Sequence, residues 1–201
     1  MRINYMTRTK TLGPGTRCGV WMQGCKKRCK GCINPEGQDP SGGYEVDVEE
    51  LVNRVLQYEE INGVTISGGE PFLQYNELFS FIRRIKELSD LDIMLFSGYQ
   101  LEELKKRYPD CMDMMKLVDI FIDGEYIEEK NDDSAYKGSS NQNIYYFTDK
   151  YKEQSGKIEI SKTRNFSFDI KEDGEIFFIG IPPKDFYRKF LMKLGGNYNE
   201  W

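Results

Sequence analysis

Histidine is absent from this 201-residue chain. The usual general base of neutral-pH catalysis and the commonest metal ligand are therefore both missing, and any metal must be held by thiolates or carboxylates. Long apolar runs are missing too: no stretch approaches the roughly 20 residues that a membrane-spanning helix needs. The opening MRINYMTRTK lacks the apolar core of a secretion signal, so a cytoplasmic protein is expected. Positive charge is in the minority, with 28 Lys and Arg against 33 Asp and Glu and a net charge of −5; the isoelectric point is near 5.1. That balance argues against binding nucleic acid mainly through charge. Repeats and low-complexity tracts are also lacking. What remains, 39% apolar and 30% charged residues, suits one well-cored domain with room for a small appendage.

Cysteine is scarce but concentrated. Of five, Cys18, Cys25, Cys29 and Cys32 lie close together and Cys111 stands apart. An odd count without a secretion signal disfavours a disulfide framework, and clustered thiols in a reducing compartment suggest a metal. Cys25-Lys26-Lys27-Arg28-Cys29-Lys30-Gly31-Cys32 places three thiols at a C-x3-C-x2-C spacing. A four-iron, four-sulfur cube ordinarily takes four thiolates, so three leave one iron open to a chelating small molecule. Lys26, Lys27, Arg28 and Lys30 would offset the cluster's negative charge and lower the thiol pKa values. They also suggest a docking face for an acidic partner or electron donor. The competing reading is a structural zinc site with Cys18 as fourth ligand. Cys18 falls in a strand signal, a poor fit to a zinc knuckle, and both it and Cys111 read as buried core thiols.

Strand and helix signals alternate along the chain. Arg17 to Met22, Val64 to Ser67, Asp92 to Phe96 and Leu117 to Ile122 read as buried strands. Between them, a helix begins at Asp47 as N-cap, with Glu50 completing a capping box and Leu51, Val52, Val55 and Leu56 as its apolar face. A second carries Leu78, Phe79, Ile82, Ile85 and Leu88, and a third spans Leu101 to Arg107 before Pro109. This pattern predicts an α/β fold with parallel strands, open or partly closed as a barrel, and functional groups at the strands' C-terminal ends. After about Lys150 the pattern changes. Lys157 to Ser161, Phe166 to Ile170 and Ile176 to Ile181 look like antiparallel strands, the last two joined across residues 171–175. Asp185 to Leu194 follows as an amphipathic helix, with Phe186, Phe190, Leu191 and Leu194 on one face and Gly195-Gly196 as its stop. The expected division is 1–150 as the main domain, with the cysteine loop at 24–35, and 151–201 as a β-hairpin and helix extension. Trp21 reads as core.

Gly13-Pro14-Gly15-Thr16-Arg17, then Gly24-Cys25 with its two further cysteines and Asn34-Pro35, resembles the N-terminal signature of the radical S-adenosylmethionine activases of glycyl-radical enzymes. Ser67-Gly68-Gly69-Glu70-Pro71 is similar to that family's second motif, which contacts the amino group of S-adenosylmethionine. Ser97-Gly98-Tyr99, the segment from Val118 to Gly124, and Tyr136 to Asn143 with its Gly-Ser-x-Asn-Gln pattern also resemble it, the last matching the ribonucleotide reductase activases. The likeness covers roughly residues 10 to 148. Gly31, before the third cysteine, departs from the aromatic residue often found there, and the extension exceeds a minimal activase.

The resemblance implies a partial (βα) barrel of the radical S-adenosylmethionine type. Its cofactors would be a [4Fe-4S] cluster on Cys25, Cys29 and Cys32 and S-adenosylmethionine near Gly31, Ile33, Asn34, Gly68, Gly69, Glu70, Pro71, Ser97, Asp123 and Asn141. Gly68 and Gly69 would offer free peptide groups to that ligand, and Glu70 would orient the loop or a basic neighbour rather than act as an acid or base. For Ser97 and Asp123, capping of the following helices is the competing role. One electron would cleave the sulfonium to methionine and a 5′-deoxyadenosyl radical, which would take hydrogen from a glycine of a large partner, an anaerobic ribonucleotide reductase. Reduced flavodoxin or ferredoxin would supply the electron. The alternatives are a related enzyme acting on a small molecule or peptide, and a non-catalytic electron-transfer or zinc-binding module.

Overall fold

The computed structural model describes residues 1–193 apart from 171, 173 and 175. In chain order its elements are β1 (Arg2–Thr9), β2 (Arg17–Met22), β3 (Tyr44–Glu45), α1 (Val48–Leu56), β4 (Gly63–Gly68), α2 (Tyr75–Leu88), β5 (Asp92–Phe96), α3 (Leu101–Arg107), α4 (Cys111–Met115), β6 (Ile120–Asp123), β7 (Asn143–Tyr146), α5 (Ser155–Ile160), β8 (Phe166–Ile170), β9 (Ile176–Gly180) and α6 (Phe186–Lys193). Seven strands form one open sheet in the order β3-β1-β2-β4-β5-β6-β7. Its centre, β2-β4-β5-β6, is parallel, as the alternation of strand and helix signals predicts. Both flanks are antiparallel: β1 pairs with β2 and β3, and β7 with β6.

The period-2 geometry of the strands sorts their side chains into two layers. Cys18, Val20, Met22, Val64, Ile66, Ile93, Leu95 and Phe121 point to one face and pack with Leu51, Val55, Leu78, Ile82, Ile85 and Leu104 of the helices. Cys18 and Cys111 are both fully buried in this layer. The opposite face carries Met94, Ile120 and Ile122 and the smaller cluster of Leu12, Trp21 and Ile179. Arg17, fully buried, pairs there with Asp92 at 2.5 Å and donates to Thr65 Oγ1 and the Val64 carbonyl. Tyr151 donates to the other Asp92 oxygen at 2.8 Å. A buried charge needs such a partner, so this arginine pins β2, β4 and β5 together.

Several sequence expectations need correction. Lys157 to Ser161 is not a strand: α5 continues the 3-10 turn Asp149–Gln154, with Ile158 buried against the sheet and Ile160 77% exposed. Two isoleucines two apart read locally as alternation, but β7 already occupies that edge. β6 starts at Ile120 rather than Leu117, because the Leu117 and Val118 amides bond back to Met114 and Met115 and close α4. Leu56 and Leu88, each the last residue of its helix, emerge beyond the sheet and are exposed. Asp47 caps α1 through the Glu49 and Glu50 amides, while the Glu50 carboxylate turns to Arg54 instead of closing a capping box. The expected turn residues Lys171, Asp173 and Glu175, the Leu191 side chain, Leu194 and the Gly195-Gly196 stop lie outside the described residues.

Candidate functional site

The C-terminal ends of β2, β4, β5 and β6 open on one cavity of about 240 Å³, where polar groups at strand ends converge in α/β sheets. Cys25, Cys29 and Cys32 line it, with Gly31, Ile33 and Asn34 from the same loop. Backbone bonds hold that loop: Gly24 donates to Gly37, Cys25 to Gln38 and Cys32 to Cys29, at 2.8, 3.0 and 3.2 Å. Gln23, buried at the end of β2, donates from its amide to the Glu36 and Asp39 carbonyls at 2.8 and 2.6 Å. Asn34 accepts from Asn4 and from the Gly37 amide. Its own amide nitrogen is buried without a hydrogen-bond partner, packed against Gly37.

Gly68, Gly69, Glu70 and Ser97 complete the rim. Their roles differ in part from expectation. The Gly69 amide, expected to meet a ligand, donates instead to Met22 at the end of β2, and the Glu70 amide donates to Gly24 of the cysteine loop, at 2.7 and 2.8 Å. A Cβ on Gly69 would lie 2.3 Å from the Gly24 carbonyl oxygen, and one on Gly68 2.3 Å from the Met22 nitrogen. Only glycine permits that approach. Glu70, 1% exposed, accepts from the Phe72 amide, Ser97 Oγ and the Gly98 amide at 3.0, 2.9 and 2.7 Å. It fastens the rim of β4 to that of β5, the orienting role expected of it. Burial pushes its carboxyl above the usual carboxylate range, against the pull of those three donors.

The structure does not bring every expected residue to the cavity. Pro71 is buried beneath it, at the start of a 3-10 turn. Asp123 is fully buried and accepts from the Leu101 amide, Asn143 and Tyr145. It thus joins β6 to the start of α3, the capping role weighed against ligand contact. Asn141 donates to the Glu125 carbonyl outside the lining, whereas its neighbour Gln142 does line it and bonds Gly124, Gly138 and Ser139. Sequence reasoning missed Phe96, Tyr126, Glu128 and Asn131, which only the meeting of distant loops selects.

The basic run is also corrected. Lys27 lines the cavity, lies 4.2 Å from the Tyr99 ring centre and faces Glu125 at 3.9 Å; Lys30 pairs with Glu128 and Glu129. Two of the four cations are therefore bound to this chain's own groups. Nor are Cys25 and Cys29 acidified: burial pushes the Cys25 thiol up, and pushes Cys29 up to about 11, with Glu125 adding to the effect.

Three thiols on one loop facing a shared space fit a cube, which takes one thiolate per iron from positions spread around it. Among the described residues no three Cys, Asp or Glu side chains converge on a point as one ion would require. Cys18, the fourth zinc ligand considered, is buried among helix-facing side chains, and burial pushes its thiol up to about 12. Fold and site together define the class, a single-cluster iron–sulfur domain built on an open α/β sheet. Residues 11–145 match the family model described as a 4Fe-4S single cluster domain. The chain is 38% identical over 153 residues to the anaerobic ribonucleoside-triphosphate reductase-activating protein of Haemophilus influenzae, spanning 72% of this chain and 97% of that one. The proteins of that name from Vibrio cholerae and Enterobacteria phage T4 are 35% and 32% identical, spanning 68% of this chain and 91% and 88% of theirs. The chain belongs to the family of anaerobic ribonucleoside-triphosphate reductase-activating proteins.

Proposed function

We propose that this chain is a radical S-adenosylmethionine enzyme that installs a glycyl radical on an anaerobic ribonucleoside-triphosphate reductase. The observation that supports it most is the placing of three cysteine thiols, and the glycine-bearing ends of β4 and β5, around one cavity. Cys25, Cys29 and Cys32 would hold a [4Fe-4S] cluster. That group, when bound and reduced, would supply the electron that breaks the sulfonium C–S bond of S-adenosylmethionine to methionine and a 5′-deoxyadenosyl radical, which would take hydrogen from a glycine Cα of the partner. The protein's work is placement. The close approach at Gly68-Gly69 fixes Met22 and Gly24 against β4, and Glu70 holds the Ser97-Gly98 loop at the cavity's rim. Trp21 and Phe96 wall off water.

In this reading the open sheet is the partial barrel of that enzyme class, residues 1–150 form the catalytic domain and 151–201 its extension. Reduced flavodoxin or ferredoxin supplies the electron in a cytoplasmic setting. Anaerobic reconstitution with iron and sulfide, followed by dithionite and S-adenosylmethionine, is the test. Mass spectrometry should find 5′-deoxyadenosine, and spin resonance a glycyl radical on added reductase. A reconstituted chain that takes up iron yet releases no deoxyadenosine refutes the reading. Deoxyadenosine with no radical on the reductase redirects it to a smaller substrate.

A further inference from the structure

The family match ends at residue 145, yet the chain continues across the open side of its sheet. On the β7 side, the Arg164 side chain, 2% exposed, donates to the carbonyls of Ser134 and Pro182 at 2.8 Å and of Lys137 at 3.1 Å. On the β2 side, Thr11 donates to the Ile179 carbonyl at 3.0 Å, Tyr5 stacks on Phe177 at 4.2 Å, and Ile179 packs with Leu12 and Trp21. The extension is thus anchored at both flanks of the sheet. Between the anchors Phe178, Phe186 and Arg188 line the same cavity as the cysteines. Phe186 is braced by Phe166 and Phe190 at 4.4 and 5.9 Å, and Arg188 by Asp185 at 3.1 Å.

We propose that residues 162–170 and 176–193 form a wall that decides what reaches the cavity, admitting an extended peptide segment and excluding a folded surface, with Phe178, Phe186 and Arg188 as the specificity-determining side chains. This rests on the proposed activity, whose radical must meet a glycine of a large protein. A macromolecule could approach an open sheet broadside; Phe178, Phe186 and Arg188 across its mouth narrow that approach. The lining suits an extended segment: aromatic rings for side chains, with Lys27, Glu128, Asp185 and Arg188 as polar groups of both signs at its edges. Arg164 is the positioning residue, since its bonds to both Ser134 and Pro182 set the wall's distance from the loop before β7.

Two readouts test this. In the metal-free protein, the cysteine-loop thiols are alkylated with iodoacetamide or with a maleimide bearing a polyethylene glycol chain. The ratio of the two rates in wild type, relative to unfolded chain, should favour the small reagent by about tenfold or more, the scale of shape discrimination in a pocket. Arg164→Ala should erase that preference, and Arg164→Lys, should alanine not fold, should weaken it. No preference in wild type overturns the wall. In the reconstituted holoprotein, a linear peptide deuterated at a central glycine Cα is compared with the same peptide closed by a lactam, reading deuterium in 5′-deoxyadenosine. Label should come from the linear form by about tenfold, and the discrimination should fall in Phe186→Ala and return in Phe186→Leu. Equal label from both, or none from either while deoxyadenosine is released, overturns the inference. Absence of deoxyadenosine altogether fails the proposed activity instead, and alkylation then decides the wall.

Discussion

Replacing Glu70 by Gln tests how the two rims are joined. In the native site one carboxylate oxygen accepts from Phe72 N and Ser97 Oγ, and the other from Gly98 N at 2.7 Å. Glutamine keeps one acceptor. Oriented to serve Phe72 and Ser97, it turns an NH2 toward the Gly98 N–H, donor against donor. The loss of one such bond in a buried site is worth about 1–3 kcal/mol, roughly a five- to 150-fold shift away from the described loop arrangement. Relief of a buried charge acts in the opposite direction on folding, so overall stability should change by no more than about 2 kcal/mol. The pH dependence carries the sign. Burial raises the folded-state pKa of Glu70 above its unfolded value, so protonation favours the fold. That share of stability is full below the unfolded value of about 4.3 and is lost as pH rises through the folded one. Urea unfolding should show this decline in wild type, reduced in Glu70→Gln. Calorimetry should show S-adenosylmethionine binding to the reconstituted variant weakened within the stated range. Unchanged affinity together with an unchanged pH slope would refute the idea that an ionised Glu70 holds the Gly98 loop.

Cys29→Ala should lower bound iron per chain after reconstitution and abolish deoxyadenosine release; full iron retention and normal release contradict the ligand assignment. Asp92→Ala strands the buried Arg17 and should cost about 3–5 kcal/mol in denaturant unfolding, whereas a loss below about 1 kcal/mol would show that water or backbone replaces the pair. In the native metal-free chain a thiol reagent should label Cys25, Cys29 and Cys32 and spare Cys18 and Cys111, whose burial pushes them up to about 12 and 11; peptide mapping that finds Cys18 labelled before unfolding contradicts the core assignment. Because Lys27 lies over Tyr99 while Lys26 is exposed, Lys26→Glu isolates any docking role. Reduction by flavodoxin that is as fast as wild type at low salt removes that role.

Much of the site was legible locally. The C-x3-C-x2-C spacing is covalent, and thiols so close in sequence are carried by one loop whatever surrounds them. The parallel centre of the sheet was legible for a similar reason: β2, β4, β5 and β6 are short, mostly apolar and buried on both faces, and Gly68-Gly69 and Ser97 fall at their ends. The antiparallel pair β8 and β9 was legible too, but the antiparallel flanks of the main sheet were not, because β1 and β7 are half-buried with mixed composition, and β3 is only two residues long. Residue roles at the rim depended on neighbours far away in the chain. Asp123 and Glu70 are both acidic residues just past apolar strands, yet one is consumed by Leu101, Asn143 and Tyr145 and the other ties two cavity loops. By itself the sequence determined the chemistry available, with no imidazole and three thiolate donors on one loop, and the order of the central strands. Only the tertiary structure decided that burial raises the Cys25 and Cys29 thiols and that the last segment crosses to line the cavity. Both depend on which surfaces lose water together, and that is set by contacts between distant residues.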